Sequence, residues 1–146
     1  MGGFKVLKNN HVTLRRGEDH LTFLGLDDIL YGQPNLLKAL ENTPKDGCKI
    51  LLVHEPDFAN LPSPVPISLQ LSGHSHGGQV RIPFLGPILT TKMGRKFAEG
   101  LNNGKNGPLY TTRGIGTTQL PIRFCCRPEL TFITLKKSAN SLYSYT

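Results

Sequence analysis

A chain of 146 residues, 38% hydrophobic and 18% charged, has the length and balance of one globular domain, and no apolar run reaches the roughly 18 residues of a membrane span. Its formal charge of +7, from 17 Lys and Arg against 10 Asp and Glu, favours anionic partners such as phosphate esters, nucleic acid or an acidic membrane surface. The basic residues come as pairs (Arg15-Arg16, Lys136-Lys137) and singles, which excludes a nucleic-acid arm, and Cys48, Cys125 and Cys126, without C-x-x-C spacing, exclude a disulfide framework.

In chain order, Phe4 to Leu7, His11 to Leu14 and Leu21 to Leu26 read as short strands separated by Asn9-Asn10 and by Gly17-Glu18-Asp19. Pro34 to Asn42 reads as a helix, with Leu36, Leu37 and Leu40 at helical spacing and Thr43-Pro44 closing it. KILLV, Lys49 to Val53, is the pattern of a buried strand. Leu61 to Pro66, with three prolines, is a loop, and Ile67 to Ser72 is a second buried strand. Gln79 to Ile82, Leu109 to Thr112 and the alternating ELTFITL of Glu129 to Leu135 read as further strands. Phe84 to Asn106 is a polar excursion whose pattern specifies no fold, and 138–146 reads as a disordered tail. Strand, helix and buried strand make an α/β layout.

The stretch LQLSGHSHGGQVRIP, Leu69 to Pro83, admits two incompatible readings. Gly73-His74-Ser75-His76-Gly77 fits the G-x-S-x-G nucleophile elbow, and it also holds two histidines spaced to share a metal site. Against the elbow, every histidine (His11, His20, His54, His74, His76) lies at or before position 76, so none follows to act as base, and the two flanking Ser75 are too close to reach its hydroxyl properly. For the metal, His54 and His74 each follow a buried strand, where ligands collect in α/β sheets, and neutral imidazole suits zinc, iron, manganese or nickel. Satisfied core histidines are the competing reading.

HEPD (His54 to Asp57), GHSHGGQVRIP (Gly73 to Pro83) and YTTRGIGTTQLPIRFCCRPEL (Tyr110 to Leu130) resemble the calcineurin-like metallophosphoesterases, in particular their bacterial membrane- or wall-associated phosphodiesterase branch. VLKNNHVTL and FLGLDD are similar to the segment that follows that branch's G-N-H motif, so the resemblance covers nearly the whole chain. It implies a β-sandwich flanked by helices, an α+β arrangement, with two divalent metal ions (manganese, iron, zinc or nickel) roughly 3.5 to 4 Å apart. It also implies that His54 and His74 ligate one ion and His76 the other, with Ser75 a spacer. Arg81 and Arg113 are candidates for contact with a substrate phosphate.

The family's D-x-H, G-D-x-x-D and G-N-H motifs are absent, and the nearest match, Gly25-Leu26-Asp27-Asp28, lies in the segment following G-N-H in relatives. Residues 1–137 are therefore expected to be the C-terminal portion of one metallophosphoesterase domain, its N-terminal half missing, with little hydrolysis of its own. The expected substrates are phosphodiesters or pyrophosphate-linked molecules, membrane lipids included, and no specific nucleic acid is expected to bind. Exposed sheet edges would favour self-association. As written the chain is expected in the cytoplasm; relatives often reach the membrane or wall through an N-terminal segment. A non-catalytic half-domain acting by association is the alternative.

Overall fold

The computed structural model describes residues 3–88, 90–118 and 120–137. Strand β1 (Asn10–Arg16) folds back on β2 (Asp19–Gly25) as an antiparallel hairpin, Arg16 opposite Asp19, through the two-residue loop Gly17-Glu18. Gly17 at φ +59 supplies the left-handed first position that such loops favour. Helix α1 (Leu36–Leu40) follows, capped by the Asn35 side chain, which accepts the Lys38 amide at 2.9 Å. It is shorter than the pattern suggested, because Glu41 leaves helical geometry (ψ 130) and Asn42 turns left-handed at φ 60.

Strands β3 (Cys48–Leu52), β4 (Leu69–Ser72) and β8 (Gly107–Thr111) run parallel to β2. β7 (Gly100–Gly104) closes the sheet as the antiparallel partner of β8, giving the order β1-β2-β3-β4-β8-β7. The polar excursion thus supplies an edge strand. It also holds β6 (Gly86–Pro87), which pairs with β5 (Arg81–Ile82) in a small separate hairpin.

Register puts Leu24, Leu51, Gln70 and Leu109 in one row across four strands, all buried. Gln70 is tolerated there because its amide donates to Pro56 O at 3.1 Å and Ser72 Oγ at 2.9 Å. This face packs against Leu36 and Ala39 of α1 and against Phe58, on the 3₁₀ turn Pro56–Asn60, forming the principal core. The opposite face is less covered: Leu52, Leu71 and Tyr110 form a row that is only half-buried. Parallel strands are ordinarily covered on both faces, so this sheet has one finished side.

Two expected strands are not strands. Phe4 to Leu7 is irregular, with Phe4 and Val6 exposed, and Glu129 to Leu135 makes no ladder despite its alternation, leaving Leu130 and Phe132 exposed. Period-2 patterning makes a segment fit for pairing, but a strand also needs a neighbour, and among the described residues neither segment has one. The 138–146 tail lies outside the described residues.

The β5–β6 connection is a tight turn in which Leu85 N–H donates to Ile82 O at 3.2 Å, Pro83 sits first and Phe84 second, at φ 68. A turn with a left-handed second position selects glycine; a bulky side chain there costs roughly 1–2 kcal/mol.

Candidate metal centre

His54 and His74 each lie two residues beyond the C-terminal end of a strand, β3 and β4, and those strands are parallel neighbours. Gly73 N–H donates to His54 O at 3.1 Å and ties the two loops together. The imidazoles meet edge to face, centroids 4.9 Å apart. His74 Nε2 lies 2.7 Å from Lys92 O; a carbonyl can only accept, so this nitrogen carries the proton and Nδ1 keeps its lone pair. The same argument at His76, whose Nδ1 is 3.3 Å from Gly116 O, leaves Nε2 with the lone pair. Carbonyls holding the far nitrogen of an imidazole are the usual support of a ligating histidine.

His54 and His74 are in direct ring contact, and the His76 ring is held separately by Gly116 O. Among the described residues no group of three or more His, Cys, Asp and Glu side chains is arranged to hold a metal ion. The donor set present therefore fits two imidazole positions of a metal site and does not complete a coordination shell.

The loop carrying these residues is unusually left-handed. His74 (φ 65), His76 (φ 50), Gly77 (φ 64), Gly78 (φ 77) and Gln79 (φ 49) all have positive φ. Such non-glycine positions cost of order 1–3 kcal/mol each and persist only where surroundings fix them. Several contacts do so here. Ser75, buried, donates its hydroxyl to Ala98 O at 2.5 Å and accepts Gly77 N–H at 3.2 Å. A hydroxyl committed in this way has no base and cannot be a nucleophile, which removes the elbow reading. Buried Gln79 clamps the following loop, donating to Thr118 O and Leu120 O and accepting Thr118 N–H. A Cβ on Gly77 would lie 2.5 Å from Arg113 Cγ, so only glycine fits.

Arg81 and Arg113 are both engaged with carboxylates. Arg81 Nη1 pairs with Glu99 at 2.8 Å, and Arg113 Nε donates to Glu129 at 2.7 Å and lies 3.7 Å from Glu99. Glu129 also accepts from Thr131 at 2.6 Å and from the Tyr110 hydroxyl. Burial alone would raise its pKa, but the hydrogen bonds from Thr131, Tyr110 and Arg113 outweigh that and hold it below the ordinary value. The same contact pushes the Tyr110 hydroxyl and the Arg113 guanidinium up.

Asp28 caps the turn after β2, accepting Leu30 N–H at 2.9 Å and Tyr31 N–H at 2.7 Å; chiefly through the Tyr31 bond its carboxyl sits below the ordinary value. Asp57 accepts the amides of Arg95, Lys96 and Phe97 and so anchors the excursion beside the site. Sequence reasoning missed Arg123, whose guanidinium donates to Arg113 O at 2.7 Å, Gly116 O at 2.5 Å and His76 O at 3.3 Å. It also missed Lys92, which acts through its backbone and therefore carries no side-chain signal. A cavity of about 840 Å³, lined by His74, Thr91, Lys92, Arg95, Ile88 and Leu120 among others, opens beside the histidine pair.

Over 138 residues the chain is 41% identical to the uncharacterized metallophosphoesterase YkuE of Bacillus subtilis, covering 94% of this chain and 48% of that protein. It is 33% identical over 134 residues to the phosphodiesterase YaeI of Escherichia coli (91% and 48%), and 31% identical over 135 residues to the UDP-2,3-diacylglucosamine pyrophosphatase LpxG of Chlamydia trachomatis (87% and 40%). The chain belongs to the calcineurin-like metallophosphoesterase family. It spans about half the length of the curated relatives it matches. No family model matches it, and no solved structure does. Among the described residues no helix is long and apolar enough to cross a membrane.

Proposed function

We propose that this chain carries part of the dinuclear centre of a metal-dependent phosphoesterase acting on phosphodiester or pyrophosphate-linked substrates, lipids among them. His54 and His74 would hold one divalent ion and His76 the other. The observation that carries this reading is the edge contact of His54 with His74 at adjacent strand ends, with His74 Nε2–H fixed on Lys92 O so that Nδ1 is presented. When bound, such ions polarise the phosphoryl group and acidify the attacking water. The chain's own part is positional: Lys92 O and Gly116 O fix two tautomers, Gly77 and Gly78 bring backbone close without a Cβ, and Ser75 braces the loop. Arg81 and Arg113 would contact substrate phosphate only by sharing or leaving Glu99 and Glu129.

Residues 1–137 form, in this reading, the C-terminal portion of one sandwich domain, and the half-covered row of Leu52, Leu71 and Tyr110 is the face its other part would cover. Three neutral donors neutralise two dications poorly, and hard cations want oxygen ligands, so the chain alone holds at most one ion weakly and hydrolyses little. The names of its relatives favour an enzyme over a non-catalytic half-domain. The test measures manganese retention by equilibrium dialysis and hydrolysis of bis(p-nitrophenyl) phosphate, for the chain and for His74→Ala. The expected result is weak manganese binding that His74→Ala abolishes, with hydrolysis no faster than the variant's. Histidine-independent retention would overturn the site, and strong His74-dependent hydrolysis would overturn the incomplete-centre reading.

A further inference from the structure

The tip of the β5–β6 hairpin combines two features that folding does not account for. Phe84 occupies the left-handed second position of its turn, where glycine would be strain-free, and its side chain is 109% exposed relative to the reference residue. Leu85 beside it is 79% exposed. A strained position spent on a fully exposed phenyl ring brings the fold neither burial nor a hydrogen bond. Strained positions of this kind cluster at functional sites, where the strain serves a role other than packing.

The tip is the crest of a wider apolar surface. Ile82 and Ile88 flank it on the hairpin and are exposed, and so are Ile122 and Phe124 on the neighbouring loop. That loop is joined to the hairpin by the Val80–Phe124 bridge and by Arg81 N–H donating to Phe124 O at 2.9 Å. Ile88 also lines the cavity beside His74, together with the exposed Lys92 and Arg95. Contiguous exposed apolar groups on this scale mark a contact surface.

Charge identifies the partner. Residues 80–128 contain eight Lys and Arg and a single acid, Glu99. Arg81, Arg113 and Arg123 are engaged with Glu99, Glu129 and backbone carbonyls, but Lys92, Arg95 and Lys96 are exposed, and Lys92 and Arg95 line the cavity that Ile88 also borders. We propose that this face docks on an anionic phospholipid bilayer, with Phe84 and Leu85 inserted at the headgroup–acyl boundary and Lys92 and Arg95 over the lipid phosphates. Aliphatic side chains surrounding one aromatic crest suit hydrocarbon, whereas single-stranded nucleic acid is gripped by aromatic platforms on which bases stack. A second copy meeting this face tip to tip would bring the same positive charge with it. The proposal does not depend on catalysis, since it concerns where the face sits and not what the histidines do.

The chain has no tryptophan, so Phe84→Trp places a single reporter at the tip. The expected result is a blue shift of its emission on adding phosphatidylcholine–phosphatidylglycerol vesicles, quenching by brominated acyl chains, and reversal by salt, with no response to phosphatidylcholine alone. Phe84→Gly with Leu85→Ser, which relieves the strained position, is expected to lower vesicle partitioning by about tenfold or more in co-sedimentation, and Lys92→Gln by about fivefold. Emission that stays water-like with anionic vesicles overturns the proposal. So does emission already blue without lipid that reddens on dilution, which would identify a second copy as the occupant, and so does a shift induced by an oligonucleotide and not by vesicles.

Discussion

The two halves of this chain are held together by different means. From Asn10 to Ser72 the structure rests on ladder register and a packed face: Leu24 and Leu51 stand opposite each other, fully buried, under α1 and Phe58. From Val80 to Arg127 regular structure is sparse, and the loops are pinned by individual polar side chains: Gln79 on Thr118 and Leu120, Asp57 on Arg95 to Phe97, Arg123 on Arg113 and Gly116, Glu129 on Arg113 and Tyr110. The first half is acidic, with five Lys and Arg against eight Asp and Glu, and the second is basic, with eight against one. A packed layer responds to lost volume, and a clamped loop to lost hydrogen bonds or protonation. The difference predicts which perturbation each half feels.

The largest effect is expected in the packed half. Leu24→Ala leaves a cavity where surrounding strands cannot collapse and should destabilise the fold by roughly 2–5 kcal/mol. Thermal or urea unfolding measures it, and a loss below about 1 kcal/mol would mean that this face is not the main source of stability. Gln79→Ala is the matching change in the clamped half. It removes three hydrogen bonds and leaves their backbone partners unsatisfied, a cost of roughly 1–3 kcal/mol. Hydrogen exchange should quicken over residues 113–120 while β2 and β3 stay protected. A uniform loss of protection would erase the distinction between the halves.

That distinction also decides how much could be read from the sequence. β1 to β4 announced themselves, because turn residues and apolar runs are local signals and Gly17, Asn35 and Asn42 punctuate where the backbone requires it. The placement of His54 and His74 at strand ends followed from the same pattern. Arg123 and Gln79 gave no comparable signal, because their partners are carbonyls and amides up to 47 residues away in the chain, and sequence periodicity is blind to backbone acceptors. Phe84 to Asn106 was illegible for the same reason: Asp57, well upstream, organises it through three amides. Glu129 to Leu135 shows the opposite failure, a clear strand pattern without a neighbour to pair with.

Protonation should separate the halves through Glu129. Its folded-state pKa is depressed below the ordinary 4.5, so its stabilising contribution is fully present above that value and is lost as pH falls through the lower folded-state pKa. The melting temperature should therefore drop on acidification below about pH 4.5, and Glu129→Gln should be less stable than the parent at pH 7 yet shallower in that acid window. Asp27 and Asp28, depressed by backbone amides, contribute to the same slope, so it is the difference between parent and variant that reports Glu129. Parallel profiles would place the acid sensitivity in the other carboxylates.

The smallest effect is expected at the hairpin tip, and it carries the opposite sign. Phe84→Gly deletes a large apolar side chain, which in the packed half would destabilise. At φ 68 and fully exposed, however, the ring contributes no burial, and glycine removes the left-handed strain of roughly 1–2 kcal/mol. Part of that gain is returned because glycine also frees the unfolded chain, leaving a net stabilisation of up to about 1 kcal/mol. A small rise in melting temperature would show that Phe84 is held at the expense of folding, as a side chain serving a contact outside the chain would be. A fall would show that the ring packs against the fold and would remove the strain argument from which the membrane contact was inferred.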